Sequence, residues 1–235
     1  MNVRVVGISG SPRHANTDIM VKEALAAAAD VPGTTTEFVS LANKKITGCV
    51  NCRGCVRKGY CVVQDDWQEC ARPLIDPVPD GVIIGAAVYF FNINSQARAF
   101  MERCTSLLKG LFFPEAVQKP PDWSRTVGAG LAVGFDRHGG QEHAISSIIH
   151  WFLINNFVCV GGSHVGYIGA PGWLMGANDR DSILRDTELG LKACRIVGRR
   201  VAETAALLKA GHETLSGSGR AWDSRKEWNV PGESQ

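Results

Sequence analysis

Short apolar runs alternate with stretches of helical periodicity along almost the whole chain. Residues 3–9 read as a strand and 18–29 as an alanine-rich helix. A second strand follows over 35–41, then a short helix over 67–75 and a buried strand over 81–88. Residues 95–108 carry helical spacing, with Ala97, Phe100, Met101 and Cys104 on one face. The pattern continues with a strand over 127–133, a helix over 142–155, a fifth strand over 158–163 and a long closing helix over 182–209. The strands are continuously apolar rather than alternating, as expected of strands covered on both faces. Five such units predict an α/β fold: a five-stranded parallel sheet, doubly wound, with helices on both faces. Ligands of such sheets sit at the carboxyl ends of the strands.

One stretch breaks the pattern. Between residues 43 and 66 the chain reads as a long loop holding Cys49, Cys52, Cys55 and Cys61, a C-x2-C-x2-C-x5-C spacing. A cubane iron–sulfur cluster needs four thiolates around a small volume, and steps of two residues wrap a loop around such a core. Structural zinc sites more often pair two C-x2-C steps across a longer arm. The spacing therefore favours a single 4Fe-4S cluster over a zinc knuckle, a redox thiol pair or free thiols. Cys70, Cys104, Cys159 and Cys194 are scattered through apolar or helical contexts and read as small core residues.

The first strand runs into Gly10-Ser11-Pro12-Arg13-His14-Ala15-Asn16-Thr17 and then a helix. A loop entering a helix N-terminus offers free N–H groups and the positive end of a dipole, which suits a phosphate. Ser11, Asn16 and Thr17 add polar donors and Arg13 a charged one. The loop is neither a Walker A nor a Gly-x-Gly-x-x-Gly fingerprint. An ordinary helix cap built from Ser, Pro, Asn and Thr remains the alternative.

With 45% hydrophobic residues, 20% charged residues and a formal net charge of +2, the chain can bury a full core and presents no basic stripe for nucleic acid. Its apolar runs are strand-sized, so no membrane span is expected. The N-terminus enters a strand without a signal-like stretch, which points to the cytoplasm. There, clustered cysteines more often serve metal or catalysis than disulfides. Residues 1–211 are expected to form one domain, with 212–235 a polar tail or a subunit arm carrying Trp222 and Trp228.

The Ser-Pro-Arg…Asn-Thr loop, the four-cysteine loop closing on Asp65-Asp66 and the tyrosine-bearing strand end together resemble the iron–sulfur flavoproteins. These belong to the flavodoxin-like NAD(P)H-dependent FMN reductase group. The resemblance implies a flavodoxin-like strand order and FMN as cofactor. It assigns Ser9, Ser11, Arg13, Asn16 and Thr17 to the FMN phosphate. It places Ala87, Val88, Tyr89, Phe90, Phe91 and Asn92 beside the isoalloxazine ring. Phe135, Asp136, Gly139, Gly140, Gln141 and Glu142 would meet its pyrimidine edge. On the residues alone, Tyr89, Phe90 and Phe91 could also be core, although three aromatics at a strand's carboxyl end favour a ring wall slightly, and the Gly-Gly-Gln-Glu stretch could be an ordinary turn into a helix. No histidine falls in a triad or metal pattern; His138 and His143 lie near the latter turn. The resemblance also implies a homodimer or homotetramer. The function expected is a flavin oxidoreductase whose cluster relays electrons from a one-electron donor such as ferredoxin to FMN, which reduces a small acceptor. A cluster-free NAD(P)H-dependent FMN or quinone reductase and a non-enzymatic electron carrier are the alternatives.

Overall fold

The computed structural model describes residues 2–113, 115–117 and 120–219. The strands are β1 (Val3–Ser9), β2 (Thr34–Ser40), β3 (Gly81–Tyr89), β4 (Asn92–Ile93), β5 (Val127–Gly134), β6 (Val158–Cys159) and β7 (Gly169–Trp173). The helices are α1 (Asn16–Ala29), α2 (Gly54–Lys58), α3 (Trp67–Ala71), α4 (Ser95–Arg103), α5 (Lys109–Phe112), α6 (Gln141–Ile154) and α7 (Lys192–Gly217). The parallel sheet runs β2-β1-β3-β5-β6, the flavodoxin-like order, with β7 also on β5 and the short β4 folded back antiparallel on β3. Among the described residues no helix is long and apolar enough to cross a membrane.

Successive side chains of a strand point to opposite faces, and here both faces are covered. Val3 and Val5 of β1 pack under α1 and α7, whereas Val6 and Ile8 pack toward α3, α4 and α6. Ile83 and Val82 of β3 divide in the same way. Two apolar layers on one sheet explain why these strands read as unbroken apolar runs. Within one layer α1 and α7 approach very closely. A Cβ on Gly198 of α7 would lie 1.9 Å from the Ala24 carbonyl oxygen of α1, so the two helix backbones touch.

Three expectations change. The fifth strand does not run over 158–163: it breaks at Cys159, turns through Gly161-Gly162, where Gly162 N–H donates to Gly166 O, and resumes as β7. Each half covers a different part of β5, β6 at Val127–Gly128 and β7 at Gly130–Gly134. Gly169-Ala170-Pro171-Gly172-Trp173 has poor strand propensity, and Pro171 is tolerated because β7 pairs on one side only. The long closing helix is also interrupted. A 3-10 turn (Ser182–Arg185) and a wider turn (Thr187–Leu191) precede α7 because the Asp186 carboxylate accepts from Trp173 N–H of β7. Finally, α7 continues to Gly217, beyond the expected domain edge at 211; residues 220–235, with Trp222 and Trp228, lie outside the described residues.

Replacing Gly198 with Ala should force α1 and α7 apart. Urea unfolding is expected to show a loss of about 1–3 kcal/mol, the usual cost of overpacking; an unchanged midpoint would show that the helices can shift freely.

Candidate functional site

The carboxyl ends of β1, β3 and β5 open into one cleft of about 260 Å³. Its walls are Ser11, Arg13, Asn16 and Thr17 from the first loop, Ala87, Val88 and Tyr89 from the end of β3, Phe135 after β5, and Leu174 and Asn178 after β7. Of the residues predicted for the phosphate and the ring, Ser11, Arg13, Asn16, Thr17, Ala87, Val88 and Tyr89 thus share one cleft, with Ser9 buried at the end of β1, whereas Phe90, Phe91 and Asn92 lie outside its lining.

At the floor of the cleft, α1 begins with no side-chain cap, and Asn16, Thr17 and Asp18 of its first turn are all buried. The first N–H groups of a helix have no partner within it. A buried, uncapped N-terminus therefore leaves a cluster of oriented donors aimed at the cleft. Ser11 Oγ donates to Arg13 O (2.8 Å) and shapes the turn, while the exposed Arg13 guanidinium donates to Asn178 Oδ1 (2.6 Å). Asn16 differs from expectation. Its amide donates to Asp179 O (2.7 Å) and accepts from Ile183 N–H (2.9 Å), so it pins the 178–183 segment over the loop and its side chain is already committed.

The end of β3 forms a hairpin with β4. Tyr89 pairs with Asn92, and the two residues between them, Phe90 and Phe91, have φ of 44° and 67°. Two-residue turns of this hand favour Asn-Gly, since side chains are strained at positive φ. Tyr89, Phe90 and Phe91 are all exposed, Phe90 completely so (104%), which excludes the core reading for them. The turn is held from behind: Ser147 Oγ donates to Asn92 Oδ1 (2.8 Å), and the Phe91 ring lies 5.8 Å from that of His143. Gly140, with φ of 105°, sits against the Phe91 backbone, where a Cβ would come within 2.6 Å of Phe91 O. The Gly139-Gly140 turn therefore abuts the aromatic tip, as a close-packed wall requires. Gln141 is buried and donates to Asp136 O (2.6 Å), leaving its Oε1 without a partner among the described residues; Ser9 Oγ is in the same state. Glu142 is exposed at the start of α6.

The four loop cysteines line a second cavity together with Arg53, Arg103 and Lys109. Cys49 and Cys52 are exposed, Cys61 half-buried and Cys55 buried; burial pushes the Cys55 thiol above its ordinary value. Among the described residues no three His, Cys, Asp or Glu side chains converge as ligands of a single ion would. A cubane binds one thiolate at each of four irons, so its ligands ring a volume rather than meet at a point. The donor set fits that demand, and so does the charge, since a thiolate-bound cluster is anionic and three cations line the cavity. The volume, about 20 Å³, is narrow for such a group. The short helix α2 inside this loop, entered through Arg53 at φ 56°, was not expected. The remaining cysteines are structural: Cys70 is pushed up to about 11 by burial, the Cys104 and Cys194 thiols are raised further, and Cys159 is half-buried.

Residue-by-residue reading of the sequence missed Asn94, Asn178 and Arg103. Asn94 is buried between the first loop and the hairpin, donating to Gly10 O (2.7 Å) and accepting from Ala87 N–H (3.2 Å). Only an Asn just ahead of a helix hinted at its role, and that signal reads as a cap.

Residues 3–169 match the NADPH-dependent FMN reductase family. An iron–sulfur flavoprotein of Methanocaldococcus jannaschii is 35% identical over 209 residues, covering 88% of this chain and 100% of that protein. One from Archaeoglobus fulgidus is 34% identical over 203 residues, covering 85% and 95%. Among solved structures, a flavodoxin, WrbA-like protein from Agrobacterium tumefaciens superposes with a TM-score of 0.52 at 15% identity over 88% of this chain and 99% of that one, a likeness of fold. The chain belongs to the NADPH-dependent FMN reductase family, in its iron–sulfur flavoprotein branch.

Proposed function

We propose that this oxidoreductase holds FMN in the cleft at the ends of β1, β3 and β5 and a 4Fe-4S cluster in the cysteine cavity. It passes electrons from a one-electron donor such as ferredoxin to a small acceptor. The observation that carries the reading is the buried, uncapped start of α1. Its free N–H groups, with Thr17 and the Arg13 guanidinium, match the charge and donor demand of a phosphate monoester. When bound, FMN accepts electrons singly or in pairs, which lets a one-electron donor serve two-electron chemistry.

The chain's own groups do the holding. Ser11 shapes the loop, Asn178 orients Arg13, and Tyr89 walls the ring side, with the Phe90-Phe91 turn beyond it. The partnerless Gln141 Oε1 is an acceptor in the adjoining wall. Cys49, Cys52, Cys55 and Cys61 would ligate the cluster. The narrowness of their cavity favours a second reading, a cluster-free reductase driven by NAD(P)H. Iron and sulfide analysis of anaerobically purified protein, with its visible spectrum, separates the two.

Arg13→Ala is expected to weaken FMN binding by about 1–3 kcal/mol, the worth of a hydrogen bond to a charged group. Riboflavin, which lacks the phosphate, should bind almost as before; equal losses by fluorescence titration would show that Arg13 faces no phosphate.

Cys55→Ala should abolish cluster absorbance while retaining most FMN, because the two cavities are separate. Full iron content in this variant would remove Cys55 from the ligand set.

Exchanging Phe90-Phe91 for Asn-Gly relieves two strained positive-φ side chains, so the FMN-free protein should melt higher while flavin affinity falls. A lower melting temperature in calorimetry would mean that the two rings stabilise the empty fold.

A further inference from the structure

Arg103 is one of the cations lining the cysteine cavity, yet its side chain is 1% exposed at the end of α4. Burying a guanidinium is costly unless every face is satisfied, and an apolar side chain of similar size is often the more stable choice. Its contacts show what the charge achieves. Nη1 donates to Asp65 Oδ2 (2.8 Å) and to Thr47 O (3.0 Å), and Nη2 donates to Val63 O (3.2 Å). The guanidinium lies over the Trp67 ring, 5.2 Å from its centre.

Asp65 completes the device. Its Oδ2 also accepts from Thr47 N–H (3.0 Å) and its Oδ1 from Trp67 N–H (3.0 Å). Burial pushes this carboxyl up, but Arg103 and the two N–H donors outweigh it and hold it below its ordinary value. Thr47 lies just ahead of Cys49, and Val63 and Asp65 lie just after Cys61. The pair therefore fastens both ends of the cysteine segment to one point on α4. The outer arm, by contrast, leaves Cys49 and Cys52 exposed.

The same helix is anchored in the other cavity. At its N-terminal side Asn94 grips Gly10 O and Ala87 N–H, and Gln96 donates to Leu41 O (3.1 Å) and Lys44 O (2.5 Å). Nine helical residues span about 14 Å, so α4 is a short strut between the two cavities.

We propose that Arg103 and Asp65 are positioning residues that clamp the cysteine loop to α4. They fix its place relative to the flavin cleft and set one positive charge against Cys61. The iron-dependent part rests on the cluster reading above; the clamp itself is visible without iron.

The test compares full-length wild type with Asp65→Asn, Arg103→Lys and Arg103→Met. In the iron-free protein, maleimide labelling of Cys55 and Cys61 and hydrogen exchange over 45–66 should speed up about tenfold in Arg103→Met and Asp65→Asn through local opening. FMN affinity should stay close to wild type, because the cleft residues are untouched. In reconstituted protein, Arg103→Met should retain less iron. Its cluster should have a more negative midpoint potential, since a cation that stabilises the reduced state is gone. Arg103→Lys keeps the charge but loses the fork, so it should restore the potential while leaving labelling fast. Wild-type labelling and exchange in both Asp65→Asn and Arg103→Lys would overturn the clamp, including where Arg103→Met fails to fold. An unchanged potential in Arg103→Met would overturn the electrostatic part. A wild type that takes up no iron would overturn the cluster reading and leave the clamp to stand or fall on the labelling data.

Discussion

The cleft exists because β1 and β3 are parallel neighbours whose following helices leave on opposite faces of the sheet. α1 packs into the layer shared with α7, and α4 into the layer shared with α6. Two segments diverging from adjacent strand ends leave a crevice that no side chain of either needs to fill, which is where doubly wound sheets bind ligands. Everything else at the site follows from that opening. It opens onto the buried start of α1, gives the hairpin after β3 an edge to stand on, and lets the segment after β7 fold over the top.

The cleft carries several local costs at once. Phe90 and Phe91 occupy a turn suited to Asn-Gly, Ser9 Oγ and Gln141 Oε1 lack partners, and the first turn of α1 is buried without a cap. Strain and unsatisfied polar atoms collect at functional sites because a ligand, rather than the empty fold, relieves them. Asn94 limits the damage by fastening the first loop to the base of the hairpin. Helix α4 then carries that fixed point to Arg103, so the two cavities share one rigid reference.

The charge distribution around the cysteines follows the same logic. Arg53, Arg103 and Lys109 stand along one small cavity with the four thiols, a lining whose charge favours thiolates. The cations come from different parts of the chain, Arg53 from the loop itself and the other two from around the end of α4. Folding is required to assemble them.

Much of this protein is determined locally. β1, β3 and β5 were legible because burial on both faces leaves an unbroken apolar run in the sequence. The polar loop from β1 into α1 and the cysteine spacing were legible because the residues of each lie within a few positions of one another. The rest was decided by tertiary structure. β7 is a strand only because β5 offers an unpaired edge to a Gly- and Pro-rich segment. Asn16 turned from a phosphate donor into a brace because Asp179 and Ile183 arrive over it. Asn94, Arg13 and Arg103 take their roles from partners 84, 165 and 38 residues away. A single sequence records a residue's own chemistry and its near neighbours. Which distant carbonyl or carboxylate satisfies a buried donor is set by the packing of the two layers on the sheet, and that is known only once the chain has closed on itself.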